Sequence, residues 1–110
     1  CSWFLESIRC DSFGRVTYIR FNGGLVARGK VPVDLALLSD SLEKLYYYGV
    51  DFSGSIPTEL SMLSKLRLLD LGRNELVSVI PMELSRLTDL EGLYLYDNKL
   101  SGTIPTELGL

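Results

Sequence analysis

The sequence predicts a solenoid of the α/β class, built from short parallel strands and from 3₁₀ or short helical turns. The first observation is a period of 24 residues, which recurs in the Ile-Pro pairs at 56–57, 80–81 and 104–105. The second is the leucine spacing within each period, which changes from steps of two to steps of three. A short fixed period of this kind is typical of stacked supersecondary units that each contact only their neighbours.

Each unit contains a short strand followed by an asparagine. Leu69 and Leu71 are two residues apart, so both face one side of a strand and the residues between them face the other. The strands run parallel because every unit runs in the same sense. The side-chain amides of Asn74 and Asn98 can satisfy backbone groups that a turning chain would leave unpaired, and we expect them to form a ladder. Val50 occupies this position in the second unit and its side chain cannot contribute.

A helical turn is predicted after each Ile-Pro pair. The leucines there are three residues apart, a spacing that suits a 3₁₀ turn or a single α turn, and Pro57 is well placed at the first helical position. Glu59, Glu83 and Glu107 recur next to the proline of each unit. A carboxylate at the amino end of a helix contributes a few tenths of a kcal/mol. We therefore interpret these glutamates as structural and not as catalytic acids or bases.

Composition excludes several functional classes. The chain has 110 residues and a net charge of −3, and its 11 lysines and arginines are scattered, which argues against nucleic acid. No apolar run approaches the roughly 18 residues that would cross a bilayer, so this segment is not expected to contact a membrane. The absence of histidine removes the commonest general base and metal ligand. We expect no catalytic residues, no enzyme activity, no metal and no cofactor.

The two cysteines, Cys1 and Cys10, lie together at the amino end among apolar residues. A disulfide between them would close a short loop, contribute roughly 2 to 3 kcal/mol and indicate an oxidising compartment. The alternative is a pair of reduced, buried thiols in a cytosolic protein. The disulfide is the favoured interpretation, because it would cover the apolar edge of the first repeat.

The repeat resembles the plant-type leucine-rich repeat family, whose unit reads LxxLxLxxNxLxGxIPxxLxxL. The segments LYLYDNKLSGTIPTEL (93–108) and FSGSIPTEL (52–60) carry this resemblance, and residues 1–21 resemble the paired-Cys cap of the family. Ser78 departs from the pattern, since it replaces a glycine. The resemblance implies a right-handed solenoid with its parallel sheet on the concave face and its helical turns on the convex side. It implies a disulfide cap at 1–15 and about four repeats at 16–110, the last of them truncated.

In this family the strand positions between the leucines point outward from the concave face, so they are the candidate ligand-binding positions. Exposed tyrosines bring a large contact area with few rotatable bonds, which favours a binding face. The alternative is that these tyrosines only fill and stabilise the sheet, since tyrosine has a high strand propensity. Tyr47 differs, because it occupies a core position. The candidate residues are Tyr18, Arg20, Lys44, Tyr46, Tyr48, Asp70, Arg73, Tyr94, Tyr96 and Asp97.

The resemblance implies a non-catalytic module that recognises a protein or peptide. The leading hypothesis is an ectodomain segment of a receptor or receptor-like protein, which reaches the cell surface or the extracellular space through the secretory pathway. A secreted inhibitor of a wall-degrading enzyme is the first alternative, because this repeat type also serves that role. The second alternative is a structural scaffold, which would be intracellular and would have reduced cysteines.

Overall fold

The computed structural model describes residues 7–22 and 28–108. Two β-sheets run along the chain, together with four short 3₁₀ helices in the described residues. The strands are β1 (Ile8–Cys10), β2 (Val16–Asn22), β3 (Gly29–Lys30), β4 (Lys44–Tyr48), β5 (Phe52–Gly54), β6 (Leu68–Asp70), β7 (Glu75–Val79), β8 (Gly92–Tyr94) and β9 (Lys99–Ser101). The 3₁₀ helices are Val33–Leu38, Thr58–Met62, Met82–Arg86 and Thr106–Leu108.

The first sheet has the strand order β1-β2-β4-β6-β8. Strands β2, β4, β6 and β8 pair in parallel, with Lys44 opposite Leu68 and Leu68 opposite Gly92, one period apart. Strand β1 is antiparallel to β2 and places Arg9 opposite Tyr18. The parallel sheet predicted from the repeat is confirmed, and β1 adds an antiparallel edge strand that lies outside the 24-residue period.

The second sheet has the order β3-β5-β7-β9 and was not predicted from the sequence. After each asparagine position the chain forms another strand, so a unit consists of strand, turn, strand and 3₁₀ helix. In β7, Leu76 is buried while Val77 and Val79 are exposed. Ser78, which would share the face of Leu76, is exposed as well, so the strand has no alternating pattern that could be recognised in the sequence.

The prolines lie at the N-caps of the helical turns, one position before the first helical residue, whereas the sequence predicted them at the first helical residue itself. Pro57 is the N-cap of the helix Thr58–Met62, with extended backbone angles of φ −67° and ψ 134°. Its carbonyl accepts a hydrogen bond from the N–H of Leu60 at 3.2 Å. The restricted φ of proline suits this extended position as well as it suits a helix. The repeated glutamates lie in the first turns of their helices, as predicted.

The core lies between the two sheets and the row of 3₁₀ helices. It consists mainly of leucines from the repeat positions, including Leu45, Leu69, Leu71 and Leu84, which are completely buried. Tyr47 belongs to the same core: its ring stacks on Phe21, with centroids 5.7 Å apart, and meets the edge of Phe52 at 5.0 Å. The inward side of the first sheet is therefore occupied, and its outward side is available for contacts with other molecules.

At the amino end, the described part of the expected cap is the hairpin of β1 and β2. Asp11 closes its turn, because Oδ1 accepts hydrogen bonds from the N–H groups of Phe13 at 2.9 Å and Arg15 at 3.0 Å. The expected pairing of Cys1 with Cys10 lies outside the described residues, since Cys1 belongs to the range 1–6. Among the described residues, no helix has the length and apolar character needed to span a membrane.

Candidate ligand-binding face

The outward side of the first sheet is a grid of side chains, which we call the tyrosine face. Its rows follow the strand register and the 24-residue period, and each row crosses β2, β4 and the two later repeats. Period-2 alternation places these side chains opposite the core leucines. The first row is Tyr18, Lys44, Leu68 and Gly92; the second is Arg20, Tyr46, Asp70 and Tyr94; the third is Asn22, Tyr48, Gly72 and Tyr96.

Two pairs of tyrosine rings border a depression of about 560 Å³ on this face. Tyr18 contacts Tyr46 with ring centroids 5.5 Å apart, and Tyr48 contacts Tyr96 at 6.1 Å. Both pairs are tilted, an arrangement in which aromatic rings attract one another. The residues that line the depression are Tyr18, Arg20, Asn22, Tyr46, Tyr48, Asp70 and Tyr96.

Two glycines determine where the rings of the last repeat lie. A Cβ atom at Gly72 would approach the Cε1 and Cζ atoms of Tyr96 to 2.9 Å, so the Tyr96 ring covers a backbone without a side chain. A Cβ atom at Gly92 would lie 3.0 Å from Cε2 of Tyr94. Tyr96 thereby leans towards Tyr48 and borders the depression, whereas Tyr94 lies over Gly92 and is not part of its lining.

Asp70 provides the negative charge in the lining. It is half-buried, and its Oδ1 accepts a hydrogen bond from the N–H of Gly72 at 2.9 Å, which fixes the carboxylate against the sheet. Desolvation raises the pKa of Tyr96, and the charge of Asp70 adds to this shift. Desolvation also raises the pKa of Tyr46, with smaller contributions from Tyr18 and Asp70. Both hydroxyls are therefore protonated at neutral pH. That of Tyr96 interacts with the side chain of Tyr48, and that of Tyr46 can donate a hydrogen bond to a ligand.

Arg73 and Asp97 lie at the end of the grid and outside the lining of the depression. Both adopt left-handed backbone angles, with φ of 52° and 53°. Their side chains form an exposed ion pair of 3.4 Å between Nε and Oδ2. The Arg73 guanidinium carbon also lies 5.6 Å from the ring centroid of Tyr48. Arg73 and Asp97 therefore neutralise each other's charge at the edge of the face, beside Tyr48.

The asparagines Asn74 and Asn98 lie behind the face and join neighbouring repeats. The Oδ1 of Asn74 accepts hydrogen bonds from the N–H groups of Val50 at 3.2 Å and Phe52 at 3.0 Å. Its Nδ2 donates to the carbonyl of Tyr47 at 2.7 Å, and also to carbonyls of its own repeat. Asn98 bonds the backbone of the preceding repeat in the same way, through the N–H of Leu76 and the carbonyl of Leu71.

The structure brings six of the ten candidate residues together in the depression: Tyr18, Arg20, Tyr46, Tyr48, Asp70 and Tyr96. Lys44 and Tyr94 lie on the same grid outside its lining. Asn22 belongs to the lining but was not among the candidates, although it lies two residues beyond Arg20 in the same strand and therefore on the same face. Among the described residues, no cluster of acidic or cysteine side chains could hold a metal ion.

The repeats identify the class of protein to which this architecture corresponds. Residues 65–87 and 89–110 match the family model of the Leucine Rich Repeat. The chain therefore contains leucine-rich repeats and has the leucine-rich-repeat fold.

The relative and the similar structures described below are plant proteins. The chain is 35% identical over 84 residues to the leucine-rich repeat receptor-like serine/threonine-protein kinase RGI4 of Arabidopsis thaliana, an alignment that covers 76% of this chain and 7% of the relative. A chain in the crystal structure of the BIR3–SERK2 complex from Arabidopsis thaliana superposes with a TM-score of 0.79 at 28% identity, over 98% of this chain and 71% of that one. The plant peptide hormone receptor RGFR1, solved in complex with RGF2, has a TM-score of 0.76 at 31% identity, over 97% of this chain and 20% of that one.

Proposed function

We propose that this chain is a non-catalytic recognition module that binds a protein or peptide through the tyrosine face. The observation that carries the proposal is the depression of about 560 Å³ between the ring pairs Tyr18–Tyr46 and Tyr48–Tyr96. Such rings offer a large contact area and lose little conformational entropy, because each side chain has two rotatable bonds. Arg20 and Asp70 add charged groups that can orient a ligand.

The similar structures support this proposal and its cellular setting. RGFR1 is a plant peptide hormone receptor crystallised with RGF2, and 97% of this chain superposes on part of it. This chain spans 7% of the length of the receptor-like kinase RGI4, one of its curated relatives. In our proposal the chain is therefore a segment of a receptor or receptor-like ectodomain at the cell surface. An oxidising environment there would favour the pairing of Cys1 with Cys10.

The experiment must separate binding from sheet stabilisation, since tyrosine pairs on a sheet also stabilise it. Peptides selected from a displayed library of random 12-residue sequences serve as probes, and their affinity is measured by isothermal titration calorimetry. We expect the double variant Tyr46→Ala, Tyr96→Ala to bind the selected peptides at least tenfold more weakly. Tyr94→Ala is the matched control, because Tyr94 lies on the same face outside the depression.

Urea unfolding of the same variants shows whether they fold. Unchanged affinity in a folded double variant would contradict the proposal, and so would peptides whose binding is weakened only by Tyr94→Ala. A double variant that fails to fold is replaced by Tyr46→Phe, Tyr96→Phe, which keeps the rings and removes the hydroxyls. The hydroxyls would then have to account for a measurable part of the affinity, since both are protonated at neutral pH.

A further inference from the structure

Three cations surround Tyr18 on the tyrosine face. Arg9 lies opposite Tyr18 on β1, Lys44 lies opposite it on β4, and Arg20 follows two residues along β2. All three cationic side chains are exposed. The Arg9 guanidinium carbon is 4.9 Å from the ring centroid of Tyr18, and that of Arg20 is 6.0 Å from the centroid of Tyr46. The cations thus alternate with aromatic rings at the amino-terminal end of the face.

None of these three cations forms an ion pair in the described part of the chain. The same is true of Arg28, Lys30, Lys65 and Arg86, but those cations do not lie beside the rings of the tyrosine face. The ion pairs of residues 7–22 and 28–108 use Arg15, Arg67, Arg73 and Lys99 instead. Glu43 precedes Lys44 in the chain and interacts electrostatically with Arg67. The cluster of Arg9, Arg20 and Lys44, which we call the basic cluster, therefore has its charges available for a ligand.

The acidic group nearest to the cluster within the grid is Asp70. It shares a row with Arg20 two strands away, which is about 9.6 Å at the usual spacing of strands. It is diagonal to Lys44 on the neighbouring strand, at about 7 to 8 Å. The cluster thus places three positive charges against one negative charge, on a chain whose net charge is −3. A local excess of positive charge on an acidic protein favours a negatively charged partner at this position.

The dimensions of the cluster suit an extended peptide. Arg9 and Lys44 flank Tyr18 on its two neighbouring strands, so their backbones are about 10 Å apart. An extended chain advances about 3.3 Å per residue and every second side chain faces the same side, so acidic side chains two or four residues apart lie about 6.6 or 13 Å apart. These spacings bracket the distance between Arg9 and Lys44, whose long side chains can cover the difference. Arginine can hold a carboxylate through two parallel hydrogen bonds, and the rings of Tyr18 and Tyr46 cover apolar atoms between the charges.

We infer that the ligand of the tyrosine face is an acidic peptide segment that crosses the strands, with its carboxylates held by Arg9, Arg20 and Lys44. This inference rests on the proposed function, since it names the chemistry of the ligand for the same face. The depression beside the cluster then receives the side chains that follow the acidic residues, where Asp70 and the Tyr48–Tyr96 pair lie.

The test is a panel of fluorescein-labelled 12-residue peptides whose net charge runs from −6 to +6, each in three scrambled orders, with binding followed by fluorescence anisotropy at 50 and 300 mM NaCl. We expect affinity to rise with negative charge and to fall at high salt. The triple variant Arg9→Gln, Arg20→Gln, Lys44→Gln should lose at least tenfold in affinity for the acidic peptides. The control Arg15→Gln, Arg67→Gln, Lys99→Gln changes the net charge equally but removes only ion-paired cations, and should stay within threefold of the parent.

Each outcome supports or overturns the inference. Binding that is independent of peptide charge, or that favours basic peptides, overturns it, as does an equal loss in the control variant. An acidic polysaccharide such as polygalacturonate that binds the cluster tenfold more tightly than peptides of equal charge density overturns the peptide assignment. If neutral library peptides bind through Tyr46 and Tyr96 while the triple variant changes nothing, only this inference fails. If neither the charged panel nor the library binds the face, the proposed function fails with it.

Discussion

The rings of Tyr48, at the end of β4, and Tyr96, two residues beyond β8, meet with centroids 6.1 Å apart, although β6 lies between β4 and β8. Neighbouring strands are about 4.8 Å apart, so two side chains on alternate strands would stand nearly 10 Å apart if both were upright. Gly72 occupies the position between them and has no side chain. The contact therefore depends on an empty position in the grid as much as on the two aromatic residues.

Gly72→Ala should separate the two rings. Its Cβ would lie 2.9 Å from two atoms of the Tyr96 ring and 3.1 Å from Oδ1 of Asp70, so the ring must turn away. The conflicting ring atoms belong to the far end of a flexible side chain, so we expect a loss of about 1 kcal/mol or less in the free energy of unfolding. The expected result is loss of the nuclear Overhauser effect between the ring protons of Tyr48 and Tyr96.

Gly92→Ala is the matched control for this change. It displaces Tyr94 from a similar position, with Cβ 3.0 Å from Cε2, but it leaves the Tyr48–Tyr96 contact untouched. Ligands of the tyrosine face should weaken several-fold with Gly72→Ala and should keep their affinity with Gly92→Ala. If the Tyr48–Tyr96 Overhauser effect persists in Gly72→Ala, the contact between the two rings does not require a glycine at position 72.

Asn74→Ala should be the more destabilising of the two asparagine replacements. The Asn74 side chain is buried and exchanges hydrogen bonds with the second repeat, at Val50, Phe52 and Tyr47, besides two carbonyls of its own repeat. Removing it leaves several buried backbone groups unpaired, and each such group costs about 1 to 3 kcal/mol. We expect a loss of about 3 kcal/mol in the free energy of unfolding, measured by urea denaturation.

Asn98→Ala provides the comparison within the same chain. Asn98 is only half-buried, so water can replace some of the hydrogen bonds that its side-chain amide makes. A loss of about 1 kcal/mol is expected. Equal losses in the two variants would mean that burial does not set the value of these hydrogen bonds, contrary to our account of the ladder.

Much of the tyrosine face could be predicted from the sequence, because it depends on two simple periods. The 24-residue period aligns the strands, and alternation within a strand separates Tyr46 and Tyr48 from the buried Tyr47. The ring positions could not be predicted in this way, because the effect of Gly72 on Tyr96 depends on contacts across strands. Arg9 was missed for a different reason: it lies on β1, whose antiparallel pairing is not part of the repeat.

The second sheet could not be predicted because its strands have little pattern of their own. Strand β5 has three residues and β3 has two, so alternation is hardly visible. In β7 the residue at the repeated glycine position is Ser78, which removes another regular feature. Strand pairing between repeats defines this sheet, and such pairing depends on the stacking of whole units.

Ser78→Gly should stabilise the protein. Ser78 has φ of 70°, a left-handed angle that the corresponding residues Gly54 and Gly102 adopt at 77° and 75°. A side chain in this region costs about 1 to 2 kcal/mol, and glycine returns about 0.5 to 1 kcal/mol of that as backbone entropy. We expect a net gain of about 0.5 kcal/mol, measured as a higher urea midpoint at constant m-value.

Ser101→Gly is the control for the serine position. Ser101 lies in β9 of the same sheet and is also exposed, but its φ is not positive. Glycine there should only increase the entropy of the unfolded chain, and we expect a loss of about 0.5 to 1 kcal/mol. A gain in both variants would mean that the positive φ of Ser78 is not the source of the stabilisation.

Tyr47 should make the protein less stable above pH 10. Burial raises the pKa of Tyr47 to about 12. In the unfolded chain the same hydroxyl ionises near its ordinary pKa of about 10, so between these values the unfolded state binds fewer protons than the folded state. The stabilisation is therefore complete below pH 10 and is lost as the pH rises to about 12. At 1.36 kcal/mol per pH unit, this loss is on the order of 2 kcal/mol.

Tyr47→Phe isolates this contribution, because it keeps the stacking on Phe21 and the edge contact with Phe52 and removes the ionisable group. The free energy of unfolding is measured by urea denaturation at intervals from pH 8 to 12 for both proteins. Lysine and the other tyrosines titrate in both, so their effects cancel in the difference. We expect the difference between parent and variant to be constant below pH 10 and to shift in favour of Tyr47→Phe above it. A difference that stays constant to pH 12 would show that the Tyr47 hydroxyl is ionised as easily in the folded protein as in the unfolded chain.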